Sequence, residues 1–153
     1  MEHATPKSDM SHTHFLYHIV FGTKDRLPLI GESWENELYR YLAGIVKGHG
    51  GEAIEINGMP EHAHLFVRLP PCDFPAFMRE LKASSSKWAK KHNAKFAWQR
   101  RYGAFTVSES AADSVREYIR NQKIHHGKRT FEEEYAGLLR NHKIEFDEKY
   151  LWD

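Results

Sequence analysis

The sequence predicts an α+β domain, and three observations predict it. Short segments crowd aromatic and β-branched residues together, other segments repeat apolar residues at helical spacing, and the two kinds follow one another as strand, helix, strand, strand, helix, strand, helix. A chain of 153 residues suits one domain, and an apolar share of 41% is enough to build its core. Residues 1–10 are polar and read as a flexible N-terminal segment ahead of a single domain over 11–153.

Each element has its own signal. Thr13–Thr23 (THFLYHIVFGT) is rich in strand formers. Glu32–Lys47 carries Trp34, Leu38, Tyr41, Leu42 and Ile45 on one helical face, and Gly48, Gly50 and Gly51 end it. Ala53–Asn57 alternates as a strand, Gly58-Met59-Pro60 reads as a turn, and His62–Leu69 (HAHLFVRL) reads as the return strand, stopped by Pro70 and Pro71. Phe74–His92 places Phe77, Leu81, Ser85 and Trp88 on one helical face. Ala104–Val107 is a short apolar strand. Ala111–His125 is a helix with Ser108 or Ser110 as its cap, Phe131–Arg140 is a last helix, and Ile144–Asp153 is a tail. This order is that of the ferredoxin-like split βαβ fold, which implies an antiparallel sheet with helices on one face.

Composition narrows the function. A net charge of +1 is too small for a chain that is basic throughout, so nucleic-acid contact would need a local patch. Segment 79–101 offers one: Arg79, Lys82, Lys87, Lys90, Lys91, Lys95, Arg100 and Arg101 stand against Glu80 alone. The same charges also suit a solvated helix face. One cysteine, Cys72, excludes an internal disulfide framework and a cysteine-rich zinc site. No apolar run is long enough for a bilayer and the start lacks a signal-peptide core, so a cytoplasmic protein without a membrane partner is expected.

Two motifs carry chemistry. His62-Ala63-His64 lies in a predicted strand, where residues two apart share a face, so two imidazoles would stand side by side and could hold a divalent metal. Taken alone, the pair also reads as ordinary half-buried strand histidines. Tyr118 and Gln122 are four apart in a predicted helix and would project together. Beside a metal, the Tyr118 phenol could act as a nucleophile on a phosphodiester and Gln122 could add an oxygen ligand. Taken alone, Tyr118 also reads as a core residue.

Together, and in order along the chain, the segments HFLYHIVFGTKDRLPLI, GMPEHAHLFVRLP, LKASSSKW, FAWQRRYGAFTVSES and YIRNQKIHHGKRTFEEEYAGLLRNHKIEFDEKYLW resemble the HUH single-tyrosine transposases of bacterial insertion sequences and their repeat-associated relatives. The resemblance runs from about His12 to Asp153. It implies His62 and His64 as metal ligands, Gln122 as the third ligand and Tyr118 as the nucleophile, with a 5′-phosphotyrosine link to single-stranded DNA cut at hairpin-flanked ends. It implies Mg²⁺ as the ion and Mn²⁺ as a substitute, although two histidines by themselves favour Mn²⁺ or another transition metal. It also implies a homodimer with composite sites, some repeat-associated relatives being monomers. Two departures stand out: Ala63 is smaller than the hydrophobic residue usual between the histidines, and Arg101 replaces a glycine before Tyr102. Lys82, Lys87, Lys90, Lys91, Arg100 and Arg101 are the expected phosphate contacts, and Trp88, Trp98 and Tyr102 are candidates to stack on bases, Trp88 reading more as core.

Two other functions fit parts of the pattern. One is a catalytically silent or domesticated hairpin-binding protein. The other is a metal hydrolase on His62 and His64, which would need a further ligand and a general base; Glu61 is expected on the opposite strand face from the histidines.

Overall fold

The computed structural model describes residues 11–125 and 129–146; the segment 1–10 and the end of the tail lie outside the described residues. Four strands, β1 (Phe15–Gly22), β2 (Glu52–Met59), β3 (His62–Leu69) and β4 (Gly103–Thr106), form an antiparallel sheet in the order β2-β3-β1-β4. This is the split βαβ arrangement expected from the order of elements. β2 and β3 form a hairpin whose strand runs through Gly58 and Met59, so the turn is Pro60-Glu61. Backbone bonds from Thr23 to the Glu61 carbonyl (2.9 Å) and from Ile30 to the Pro60 carbonyl (3.0 Å) hold that turn.

The helices α1 (Glu35–Gly48) and α2 (Phe74–Ala89) pack on one face. Asp73 caps α2 by accepting from Ala76 N–H at 3.0 Å, and Pro75 in the first turn lacks only a donor the helix could not use. Leu38, Leu42 and Val46 of α1 meet Ile19 and Phe21 of β1, Leu65, Val67 and Leu69 of β3, and Phe77, Met78 and Leu81 of α2. Each such side chain contributes about 1.5–3 kcal/mol on burial, before chain entropy is counted. This is the main core.

Helices on one face describes α1 and α2 only. The C-terminal helices α3 (Ala112–Arg120), α4 (Gln122–His125) and α5 (Phe131–Asn141) cover the other face. The reason lies in the strands. Leu16, Val20, Phe66 and Phe105 are apolar positions on that second face, and they need a cover of their own. Ile119 of α3 seals Leu16 and Phe66, while Phe131, Tyr135 and Leu139 of α5 seal Val20 and Phe105.

The helix expected over 111–125 is broken at Asn121. Ile124 N–H bonds the Asn121 carbonyl at 3.0 Å instead of Arg120, and Asn57 of β2 donates to the released Arg120 carbonyl at 2.9 Å. The strand side chain thus satisfies the backbone group that the break exposes. Neither Ser108 nor Ser110 caps α3; their hydroxyls pair with each other at 3.1 Å. α5 begins at a complete capping box, in which the Thr130 side chain accepts from Glu133 N–H (3.2 Å) and the Glu133 carboxylate accepts from Thr130 N–H (3.1 Å).

Candidate active site

Register brings the second face together. His62 and His64 alternate with Ala63 and Leu65, so both imidazoles face the C-terminal helices, and both residues are fully buried. His64 lies across from Val20 and His62 across from Gly22. Gly22 has to be small: a Cβ there would meet the Phe131 ring at 2.8 Å and Gln99 Oε1 at 2.5 Å. Its absence lets Phe131 lie flat on His62, with ring centroids 4.0 Å apart and planes 9° from parallel.

The break at Asn121 does not separate the two predicted helix residues. Tyr118 lies in the last turn of α3 with its ring edge-on to His64, centroids 5.9 Å apart, and Gln122 begins α4 and reaches His62. Gln122 is buried, with Oε1 3.1 Å from His62 Nε2 and Nε2 donating to Glu134 Oε2 at 3.0 Å; the second bond fixes which way the amide points. His62, His64, Gln122 and Tyr118 are therefore neighbours within one chain.

Glu134, on α5, is the member that the sequence reading did not name. It is fully buried. Its Oε1 lies 3.0 Å from His64 Nε2 and 3.3 Å from His62 Nε2, and its Oε2 accepts the Tyr118 hydroxyl. A signal existed: Glu134 falls three residues after Phe131, one before Tyr135 and four before Leu138, on the inward face of an amphipathic helix. Set in the run Glu132-Glu133-Glu134, it passes for part of an acidic, solvated helix start.

Each imidazole is also held from behind. His62 Nδ1 is 3.1 Å from Glu61 Oε1, and His64 Nδ1 is 2.8 Å from His18 Nε2. Glu61 sits in the hairpin turn rather than the pleated strand, so its carboxylate swings to the histidine side; the expectation that it faces away is corrected. Such contacts fix ring orientation and leave the Nε2 atoms aimed at the shared space.

The electrostatics point to a cation there. His62 presents Nδ1 to one oxygen acceptor and Nε2 to two more. A neutral imidazole has a single N–H and cannot serve both sides. Burial alone would lower the His62 pKa, but hydrogen bonds and charge from Glu134 and Glu61 raise it. Burial works against ionised Glu134 too, yet the bonds from His62, His64 and Tyr118 depress its pKa. His18 is pushed well down by burial and by the neighbouring His64. The Tyr118 phenol is raised by burial and by the Glu134 carboxylate, with Arg129, whose guanidinium donates to the hydroxyl at 3.2 Å, offsetting part of this.

A proton on His62 is one cation that satisfies these acceptors, and a divalent metal is another. Ligand atoms of His62, His64 and Glu134 all lie within 4.8 Å of one another, and Gln122 Oε1 joins them. Two imidazole nitrogens, a carboxylate and an amide oxygen suit Mn²⁺ or a similar borderline ion and tolerate Mg²⁺.

The α2 part of the basic segment lies elsewhere. α2 is on the opposite face of the sheet, where Lys87 and Lys91 line a groove with Tyr41, Ser84 and Trp88. The Lys82 amine donates to the carbonyls of Gln99 (2.5 Å) and Arg100 (2.9 Å), and burial lowers its pKa to about 8. The Lys90 amine donates to the Phe96 carbonyl. Tyr102 is half-buried against Phe74, with the Lys82 amine 5.9 Å from its ring centre. Arg100 and Arg101 are exposed.

On this split βαβ sheet a histidine pair that could hold a metal stands beside a tyrosine. The chain belongs to the IS200-like transposase family: residues 11–122 match the family model described as "Transposase IS200 like". It is 27% identical over 115 residues to the ISDra2 transposase TnpA of Deinococcus radiodurans, a match covering 69% of this chain and 82% of that one. A crystal structure assigned to a transposase of Deinococcus radiodurans R1 superposes with a TM-score of 0.61 at 24% identity, covering 77% of this chain and 98% of the other. A REP-associated tyrosine transposase bound to a REP hairpin superposes with a TM-score of 0.59 at 18% identity, covering 78% of this chain and 74% of that one. Those two structures share the fold. Among the described residues no helix is long and apolar enough to cross a membrane.

Proposed function

We propose that this transposase cuts and rejoins single-stranded DNA at hairpin-flanked ends, with Tyr118 as nucleophile and a divalent metal held by His62, His64 and Gln122. The observation that carries the reading is the convergence of both imidazoles, the Gln122 amide and the Tyr118 hydroxyl on the buried Glu134 carboxylate. Mg²⁺ is the ion expected, with Mn²⁺ as substitute. Bound there, the ion supplies Lewis-acid polarisation of the scissile phosphate.

The chain's own groups do the rest. Tyr118 Oη forms a bond to phosphorus as the bond from phosphorus to the 3′ oxygen breaks. The phenol gives up one proton and the 3′ oxygen gains one, so the products are a 5′-phosphotyrosine and a 3′-hydroxyl with no net proton change. A 3′-hydroxyl then attacks the link and restores the strand and the free phenol. One diester replaces another, so no nucleotide triphosphate is needed. The Arg129 guanidinium beside the phenol is suited to meet the phosphate charge.

For the flanking DNA, Lys87, Lys91, Arg100 and Arg101 remain the phosphate contacts; the amines of Lys82 and Lys90 are engaged with backbone carbonyls and Tyr102 is packed. The setting is the cytoplasm. A homodimer is the assembly expected, and the Tyr118–Glu134 contact supports a site that each protomer completes by itself, not one assembled across the pair.

The test is a labelled single-stranded hairpin incubated with the protein and Mn²⁺ or Mg²⁺. A covalent adduct mapping to Tyr118 is expected, and Tyr118→Phe removes it. No adduct with any native end sequence favours a silent hairpin-binding protein, and cleavage that survives Tyr118→Phe favours a metal hydrolase.

A further inference from the structure

Glu134 comes from α5, a helix that begins nine residues after the matched family segment ends at 122. Its two oxygens face two different parts of the site. Oε1 points to the imidazole nitrogens, at 3.0 Å from His64 and 3.3 Å from His62. Oε2 accepts from the Tyr118 hydroxyl and from the Gln122 amide. The carboxylate has little freedom to leave. α5 is pinned at its start by the Thr130–Glu133 capping box, by Phe131 stacked on His62, and by Tyr135 and Leu139 packed on Val20 and Phe105.

We propose that Glu134 is a fourth donor to the metal site and the positioning residue for Tyr118, so that α5 joins nucleophile and metal within one chain. This rests on the strand-transfer reading. A carboxylate can coordinate through one oxygen and accept a hydrogen bond through the other, so both contacts persist together. Its negative charge also lowers the net charge of the loaded cluster, which a dication bound by neutral imidazoles and an amide would otherwise leave at +2. The hydrogen bond holds the phenol oxygen toward the cluster, and misplacing a reacting atom by about 1 Å can cost on the order of 10²-fold in rate.

The test has three readouts on Glu134→Ala and the near-isosteric Glu134→Gln. Mn²⁺ binding, followed without DNA by the loss of the free-ion resonance signal, is expected to weaken about 10–100-fold in both variants. Nitration of Tyr118 by tetranitromethane, read by peptide mass spectrometry, is expected to rise several-fold in Glu134→Ala and to stay near wild type in Glu134→Gln, whose amide oxygen still accepts the phenol. At saturating Mn²⁺, adduct formation by Glu134→Ala is expected to fall on the order of 10²-fold with hairpin affinity unchanged.

Wild-type Mn²⁺ affinity in Glu134→Gln, or unchanged Tyr118 nitration in Glu134→Ala, overturns the proposal. If Glu134→Ala does not fold, the Mn²⁺ affinity of Glu134→Gln decides. Should the wild-type protein itself form no adduct, the strand-transfer reading fails by itself, and the first two readouts still judge Glu134.

Discussion

The two faces of β3 divide the molecule's work. Ala63, Leu65, Val67 and Leu69 point into the core under α1 and α2, where apolar contact alone has to be satisfied. His62 and His64, one residue out of step, point to α3, α4 and α5, where Gln122, Glu134 and Tyr118 meet them. Every residue named is buried or half-buried, so burial does not separate the faces. What separates them is partner chemistry. On one side side chains exclude water from one another; on the other, acceptors converge on a space suited to a cation. Stability is expected to reside mainly on the first face and activity on the second.

The largest expected effect is on activity. Tyr118→Phe should abolish the covalent adduct while leaving the thermal melt within a few degrees of wild type, since the ring stays and only a half-buried hydroxyl is lost. A large loss of stability would blur the contrast between the faces. The same variant sharpens the question of assembly. Mixed with His64→Ala, it should remain inactive if each chain completes its own site; recovered adduct in the mixture would show a tyrosine serving a partner's histidines.

Next comes the opposite face of the same strand. Leu65→Ala should cost about 2–5 kcal/mol in denaturant unfolding, because Leu65 is fully buried between the sheet and the helices above it. Assayed well below its midpoint, the variant should still form adduct at near wild-type rate. A rate loss as large as that of Tyr118→Phe would mean that the two faces are not separable.

A smaller effect concerns pH without metal. His62 has its folded pKa raised above the ordinary 6.5 by the Glu134 and Glu61 carboxylates, in spite of burial. A raised folded value gives stability that is fully present below the unfolded value and is lost as pH rises through the folded one. Stability of the metal-free protein should therefore decline above pH 6.5, by about 1.4 kcal/mol for each unit of displacement. Mn²⁺ affinity should rise over the same range, because the ion needs the nitrogen that the proton occupies. A flat melting profile from pH 6 to 9 would count against the charged cluster.

The first face and the frame were legible because they follow from local pattern. HAHLFVRL reads as a strand, and residues two apart on a strand share a face, so its histidine pair was readable before any coordinates, even though Phe66 interrupts the alternation. The spacing of Tyr118 and Gln122 pointed to two residues that the structure does bring to one cluster, but by an incomplete route, since the helix breaks between them and Asn57, 63 residues before Arg120, stabilises the break. The cover of α3–α5 over the second face was not legible, because nothing local says which sheet face a later helix will choose. Glu134 was hidden by its acidic neighbours, and Glu61 by the assumption that it shared the strand's pleat. The basic residues of 79–101 showed charge but not engagement: Lys82 and Lys90 hold carbonyls that only the fold brings near.

The smallest expected effect tests the point where the two faces cease to be independent. Thr130→Ala removes the hydroxyl that accepts from Glu133 N–H and opens the capping box, at a cost of about 1 kcal/mol. An exposed cap remote from chemistry should leave activity alone. Thr130 is different, because the first turn of α5 carries both Phe131, stacked on His62, and Glu134, held between the histidines and Tyr118. Fraying of that turn would loosen the carboxylate before it unfolds the domain. Mn²⁺ affinity should therefore fall measurably in Thr130→Ala at temperatures where circular dichroism still reports a folded protein. Equal affinity would mean that the packing of Phe131, Tyr135 and Leu139 alone is sufficient to hold α5 in place.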